Sequence, residues 1–298
     1  MKYKKLGKSE LEVSEVSFGC MSLREDQVAN AALLHQALDE GINLFDTADL
    51  YQQGENEKTL GKTFSGMRDK VILATKVGNH MRPDGSGWDW NPTKAYILQA
   101  VEESLKRLQT DYIDLYQLHG GTIEDPIDET IEAFELLKQQ GKIRVYGISS
   151  IRPNVIREYV KRSHIASVMM QYSLLDRRPE ESCLDLLQEN NIGVLARGSY
   201  AQGLLVNKPA KKYLTLSEEE VKKAADAVKR VAGNSRSAAE VAARYVIDNP
   251  AITSAVLGIR TDEQLQDALQ VSEASPLDNE EKQALQQAVK LIKYEQHR

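Results

Sequence analysis

The sequence predicts an α/β fold: a closed (β/α)8 TIM barrel forming a single domain over residues 1–298, with an N-terminal β-hairpin and extra C-terminal helices. Three observations predict it. After an opening hairpin, short apolar strands alternate with helical segments about eight times, which implies a parallel sheet. No linker, low-complexity stretch or composition break divides the 298 residues, and a barrel stays one domain at that length. The first apolar strand, EVSFGC, runs into MSLRED with no G-x-G-x-x-G, so the competing doubly wound sheet lacks its phosphate turn.

Lys2 to Val13 has the pattern of a hairpin, KYKKL and LEVS around Gly-Lys-Ser. EVSFGC is a strand that stops at Gly19. A helix follows over Asp26 to Glu40, with Gly41 as its stop signal. The stretch Gly41 to Glu57, GINLFDTADLYQQGENE, begins as a strand through Ile42, Leu44 and Phe45, turns, and enters a helix over Glu55 to Phe64. Strand KVILATKVG leads into a long loop, Val77 to Pro92, that carries Trp88 and Trp90. Helix Thr93 to Leu108 precedes strand DYIDLYQLHGG, and helix Pro126 to Gln140 precedes KIRVYGISS. Helix Pro153 to Lys161 precedes SVMMQYS, and helix Glu180 to Asn190 precedes GVLARGS. Helices Ser217 to Ala232 and Ala238 to Ile247 precede ITSAVLG. Helix Asp262 to Ser272 and a last amphipathic helix from Asp278 complete the chain.

Composition narrows the function. The chain is 41% hydrophobic and 28% charged, an ordinary globular balance. A net charge of −6 disfavours nucleic acid as a partner. No apolar run is long enough to span a bilayer, so no membrane partner is expected. The N-terminus MKYKKLGKSE lacks the apolar core of a signal peptide, and Cys20 and Cys183 are too few for a disulfide framework. The expected setting is therefore cytoplasmic, with a monomer as the default. His35, His80, His119, His164 and His297 are scattered, and no metal site is expected.

In a barrel, chemistry collects where the strands end. Those ends are Gly19-Cys20, Asp46, Lys76, His119, Ser149-Ser150, Gln171, Arg197-Gly198 and Gly258. Four adjacent units thus converge Asp46, Tyr51, Lys76 and His119 on one mouth. A lysine at the end of an apolar strand needs a partner, and Asp46 on the preceding strand is the natural one. The paired ammonium is expected to favour the Tyr51 phenolate and lower its pKa, making a usable proton donor. His119 can hydrogen-bond a substrate oxygen. Taken singly, each has a bland reading: Asp46 and Asp49 as turn residues, Lys76 reaching into solvent, His119 satisfied within the core. Their joint placement favours chemistry. Trp88 and Trp90 either wall a substrate pocket or anchor their loop.

The chain resembles the aldo-keto reductases along nearly its whole length. The motifs are GINLFDTADLYQQGENE, Ala74-Lys76 as ATK, YIDLYQLHG at Tyr112-Gly120, GKIRVYGISS, MQYS, Ala201-Leu205 as AQGLL and GIRTDEQL at Gly258-Leu265. It is most similar to bacterial NADP-dependent members related to the general-stress and inositol-operon reductases. The resemblance implies NADP(H) bound without a Rossmann fold, a small-molecule carbonyl substrate, and a catalytic tetrad at Asp46, Tyr51, Lys76 and His119. Hydride would pass from nicotinamide to the carbonyl carbon, with Tyr51 protonating the oxygen. Against the cofactor it would place Gly19, Cys20, Met21 and Asp46, then Ser149, Ser150 and Gln171 around the carboxamide. Gly198, Gln202, Gly203 and Leu204 would line the pyrophosphate loop, with Ser199 among the cofactor contacts, and Arg197 would either stack on the nicotinamide ring or grip the pyrophosphate. Gly258, Arg260 and Gln264 would bind the adenosine phosphate, with Asp267 at the adenine contacts. Ser150 stands where an asparagine is usual, Arg197 where an aromatic commonly stacks on the nicotinamide, and Asp267-Ala268 where Glu-Asn is frequent. Arg260 suits a 2′-phosphate and favours NADP(H) over NAD(H). Two other readings remain at this point: a cofactor-binding regulatory protein with slow turnover, and a Schiff-base aldolase using Lys76.

Overall fold

The structure, a computed structural model, describes residues 1–82 and 84–298. Its elements run β1 (Tyr3–Lys5), β2 (Glu12–Ser14), β3 (Val16–Gly19), α1 (Gln27–Asp39), β4 (Leu44–Asp46), α2 (Glu55–Thr63), β5 (Ile72–Val77), β6 (Asn79–Met81), β7 (Trp88–Trp90) and α3 (Lys94–Leu108). They continue β8 (Ile113–Leu118), α4 (Ile127–Gln139), β9 (Ile143–Ser149), α5 (Pro153–Arg162), β10 (Ser167–Gln171), α6 (Cys183–Glu189) and β11 (Gly193–Arg197). The last are α7 (Glu218–Ala232), α8 (Ala238–Ile247), β12 (Ile252–Gly258), α9 (Asp262–Glu273) and α10 (Asn279–Gln287). Eight parallel strands close into a barrel in the order β10-β11-β12-β3-β4-β5-β8-β9. This is the (β/α)8 fold that the alternation predicts.

The strands are buried on both faces, which is why they are nearly continuous apolar runs. Their inner faces form a small cluster of Leu44, Ala74, Leu115, Met169, Leu195 and Val256, closed from below by Leu6, Leu11 and Val13 of the β1–β2 hairpin. Their outer faces pack against the helices in a second, larger cluster. Side-chain caps fix most helix starts: Asp26 on α1, Thr93 on α3, and capping boxes at Ser217, Ser237 and Asp278.

Three expectations need correction. Gly41 and Ile42 do not open a strand. Gly41 (φ +93°) terminates α1, and the Ile42 amide returns to the Ala37 carbonyl, so β4 is only three residues long. The helix expected over Glu180 to Asn190 is split, with a 3-10 turn at Arg178–Glu181 before α6. The loop Val77 to Pro92 holds the antiparallel β6–β7 hairpin, which an Arg82–Asp89 ion pair spans; Pro83 within it lies outside the described residues. Trp90 anchors this hairpin, donating to Asp125 at 2.9 Å, and neither it nor Trp88 lines the central cavity.

The hairpin turn beneath the barrel makes a sharp test of packing. Gly7 has φ +57°, and a Cβ there would stand 2.5 Å from the Ala166 carbonyl oxygen. Gly7→Ala is expected to cost about 2 kcal/mol or more in urea unfolding. Gly66→Ala, also at positive φ but with nothing within 4 Å, is expected to cost only about 1 kcal/mol. Equal costs would show that backbone handedness, and not the collision, dominates.

Candidate active site

The C-terminal ends of β4, β5 and β8 lie side by side in the barrel and bring the four predicted residues together. Asp46 is the last residue of β4. Lys76, in β5, is 1% exposed. Its ammonium donates to Asp46 Oδ2 at 2.7 Å, to the Thr47 carbonyl at 2.6 Å and to Tyr51 Oη at 3.3 Å. His119 follows β8 directly, and its amide donates to the Val77 carbonyl at 2.7 Å. The His119 and Tyr51 rings meet edge to face, with centroids 5.9 Å apart.

Tyr51 is aimed by a strained turn. It opens a 3-10 turn, Tyr51–Gly54, in which Gln52 (φ 49°) and Gln53 (φ 54°) are left-handed. Two buried side chains from α2, which sequence reasoning passed over, hold this turn. Asn56 Oδ1 accepts from Thr47 Oγ1 at 2.6 Å, and Asn56 Nδ2 donates to the Cys20 carbonyl at 2.9 Å. Glu57 accepts from Thr75 Oγ1 and from Arg107 Nε, each at 2.6 Å. Their signal was present in the sequence: two adjacent polar residues that α2 turns to the barrel, opposite the solvated Glu55 and Lys58.

The electrostatics separate the four. Burial alone lowers the Lys76 pKa, but the Asp46 carboxylate and then Tyr51 outweigh it, and its pKa ends above the ordinary value. Burial pushes Asp46 up, with Lys76 opposing. Burial likewise raises Tyr51, and Lys76 opposes without reversing it. The expected lowering of Tyr51 is therefore not found. His119 is pushed down to about 3 by burial, then by Lys76 and Arg197, so its imidazole is neutral. Its Nδ1 is buried with no hydrogen-bond partner among the described residues. Asp49, which had only a turn role, is buried beside these groups, and burial followed by Glu57 raises it to about 8.

A cavity of about 790 Å³ opens over Tyr51, Lys76 and His119. Ser149, Ser150 and Arg197 line it, as does the C-terminal segment Ile292 to His297. The remaining strand ends, on β9, β10, β11, β12 and β3, form the other arc of the rim. Gln171, closing β10, accepts from Arg197 at 3.1 Å and donates to Asp176 at 2.8 Å and Tyr213 at 3.1 Å. Beyond it Gly198 (φ +79°), Gln202 (φ +61°) and Gly203 (φ +90°) bend the chain, and the Lys208 side chain lies over Gly203. Ser199 is buried, and its hydroxyl has no partner among the described residues. Met21 is exposed into the cavity, whereas the Cys20 and Leu204 side chains are turned into the core. Gly258 pairs in register with Gly19, where β12 meets β3. The Arg260 amide donates to Gln264 at 3.0 Å and its side chain is exposed, while Asp267 is partly buried near Glu240 and Glu263. Glycine turns, an orphaned serine hydroxyl and two exposed arginines suit a long phosphate-bearing group along this arc.

The family profile described as Aldo/keto reductase family matches residues 15–290. The holo form of aldo-keto reductase AKR11C1 from Bacillus halodurans superposes with a TM-score of 0.94 at 51% identity, covering 100% of this chain and 99% of that one. The uncharacterized oxidoreductase YqkF of Bacillus subtilis is 51% identical over 100% of both chains. The aldo-keto reductase yakc of Schizosaccharomyces pombe, whose name carries NADP(+), is 34% identical over 65% of this chain and 60% of its own. The barrel, its strand-end residues and these likenesses agree: the chain belongs to the aldo-keto reductase family.

Proposed function

We propose that this oxidoreductase reduces aldehydes or ketones to alcohols with NADPH, using Tyr51 as the proton donor. One observation carries the reading: a buried ammonium, Lys76, bonded at once to a carboxylate and to a tyrosine hydroxyl at the floor of the cavity. The bound dihydronicotinamide supplies the hydride to the carbonyl carbon. Tyr51 gives its hydroxyl proton to the carbonyl oxygen, and a solvent proton later restores it. The raised pKa keeps that proton in place at neutral pH. Lys76 stabilises the phenolate left behind, and Asp46 fixes the lysine. Neutral His119 offers a ring N–H to orient the carbonyl.

Gln171 and Ser149 would hold the carboxamide, the Gly198–Gly203 bend the pyrophosphate, and Arg260 a 2′-phosphate. The name of the S. pombe relative supports the phosphorylated cofactor. The Schiff-base reading loses ground because it needs a neutral amine. Lys76 has its three donors engaged and its pKa raised.

NADPH oxidation across a panel of aldehydes and ketones, with NADH in parallel, tests the activity. Tyr51→Phe is expected to lower kcat by roughly 10²-fold or more while NADPH binding stays within about twofold. Full activity in that variant would remove the proton-donor role. Arg260→Ala is expected to weaken NADPH by roughly tenfold and leave NADH nearly unchanged. Equal weakening would show that the arginine does not see the 2′-phosphate. Because His119 stays neutral, kcat/KM should show no inflection near 6.5 between about pH 5 and 7. An inflection there that disappears in His119→Asn would mean that the imidazole protonates in the working enzyme.

A further inference from the structure

We infer that Arg197 biases the site toward the reduced cofactor, by holding an uncompensated positive charge beside a ring that itself becomes positive on oxidation. The inference rests on the cofactor reading above and concerns which form of that cofactor the chain prefers.

Arg197 is the last residue of β11 and pairs in register with Gln171, the last residue of β10. Its Nη1 donates to Gln171 Oε1 at 3.1 Å. If Gln171 holds the carboxamide, the guanidinium and the nicotinamide share one partner and are neighbours. Arg197 also lines the cavity that opens on Tyr51, Lys76 and His119. Its charge is felt at Tyr51, after burial, Lys76 and Asp46, and at His119, after burial and Lys76.

Of the other cations that line the cavity, Arg152 donates to the Gly121 carbonyl and Lys293 belongs to the C-terminal segment, and among the described residues neither bonds to Gln171; the remaining two are paired with carboxylates. Lys76 is neutralised by Asp46. Arg178 is bound through two nitrogens to Asp176, at 2.7 and 2.8 Å. Arg197 has an amide oxygen as its partner and, among the described residues, no carboxylate.

The consequence follows from charge. Dihydronicotinamide is neutral, and its oxidised form carries one positive charge. An aromatic face at this position would favour the oxidised ring, since a cation is attracted to a π face. A guanidinium does the opposite. It leaves the neutral ring undisturbed and repels the charged one. In a binding cycle, the ratio of the two dissociation constants equals the shift of the bound redox equilibrium, so weaker NADP+ binding means stronger hydride donation in the site.

The test is binding, not turnover. Calorimetric Kd values for NADPH and NADP+ would be measured with the wild-type protein, Arg197→Met and Arg197→Lys, at low and high salt. Wild type is expected to hold NADPH roughly tenfold or more tighter than NADP+. Arg197→Met should bring that ratio close to one, mainly by tightening NADP+. Arg197→Lys should keep most of the preference, and added salt should narrow it in wild type. The side chain is exposed, so unchanged thermal melting is expected in both variants. A wild-type ratio near one would overturn the inference. So would Arg197→Met weakening both forms equally, which would mark the guanidinium as a phosphate clamp. Both results leave the reading of NADP(H) as the cofactor standing. A wild-type protein that binds neither form would overturn the cofactor reading itself, and this inference with it.

Discussion

An ammonium with no access to water must find its hydrogen bonds inside the protein, and the Lys76 ammonium organises the barrel mouth on that account. It has three donors and finds three acceptors: a carboxylate, a backbone carbonyl and a phenol oxygen. The first two are 2.7 and 2.6 Å away and come from the end of β4. The third, to Tyr51, is longer at 3.3 Å. The loosest of the three bonds therefore goes to the group proposed to give up a proton. Asp46 and Thr47 would keep the same partner through that proposed transfer, and so position the lysine. The bond to Tyr51 is the one that strengthens as negative charge develops, and only such a difference lowers a barrier.

Holding the tyrosine there has a structural cost that the next turn of chain carries. Two consecutive glutamines in left-handed backbone are strained, and such strain persists only where the surroundings over-determine it. Here Asn56 ties the turn to the ends of β3 and β4, while Glu57 ties it to β5 and, through Arg107, to α3. Glu57 is fully buried, so its pairing with Arg107 is needed as well as useful, because an unpaired carboxylate there would be strongly destabilising. The aim of Tyr51 is thus set by side chains that never touch the reacting atoms.

The barrel was legible in the sequence because its signal is repetitive. Eight apolar runs separated by helical spacing leave few alternatives, and the strand ends then follow by position. The rim divides into two arcs. One holds the tetrad on β4, β5 and β8; the other holds Ser149, Gln171, Arg197, Gly258 and Gly19 on β9 to β12 and β3. That division needed no side-chain geometry. The features that escaped were those decided by tertiary contact. The β6–β7 hairpin forms from residues rich in turn signals, because the Arg82–Asp89 pair and Trp90, packed over Gly78 and Gly120, give two short strands a surface to rest on. Ile42 looked like the start of a strand because it is β-branched and apolar, yet its amide closes the end of α1. Asn56 and Glu57 looked like an ordinary polar helix start.

The sign of the Tyr51 shift is the instructive failure. Sequence pairing gives the neighbours of a titratable group, and Lys76 beside tyrosine argues for a lower pKa. It does not give the depth of burial, and here burial is the larger influence. In the proposed reaction the two effects act on different stages of one event. Desolvation sets the resting state and keeps the phenol protonated, which a donor requires. The lysine acts when the proton departs, because its attraction to a phenolate is strongest in the dry surroundings that opposed ionisation. Burial that made the tyrosine a weaker acid in the resting protein thereby makes Lys76 more effective at the moment of transfer. Asp46 keeps the arrangement from overshooting. It balances the ammonium and itself raises the Tyr51 pKa, so that in the proposed reaction the proton would stay on Tyr51 until a carbonyl oxygen is there to receive it.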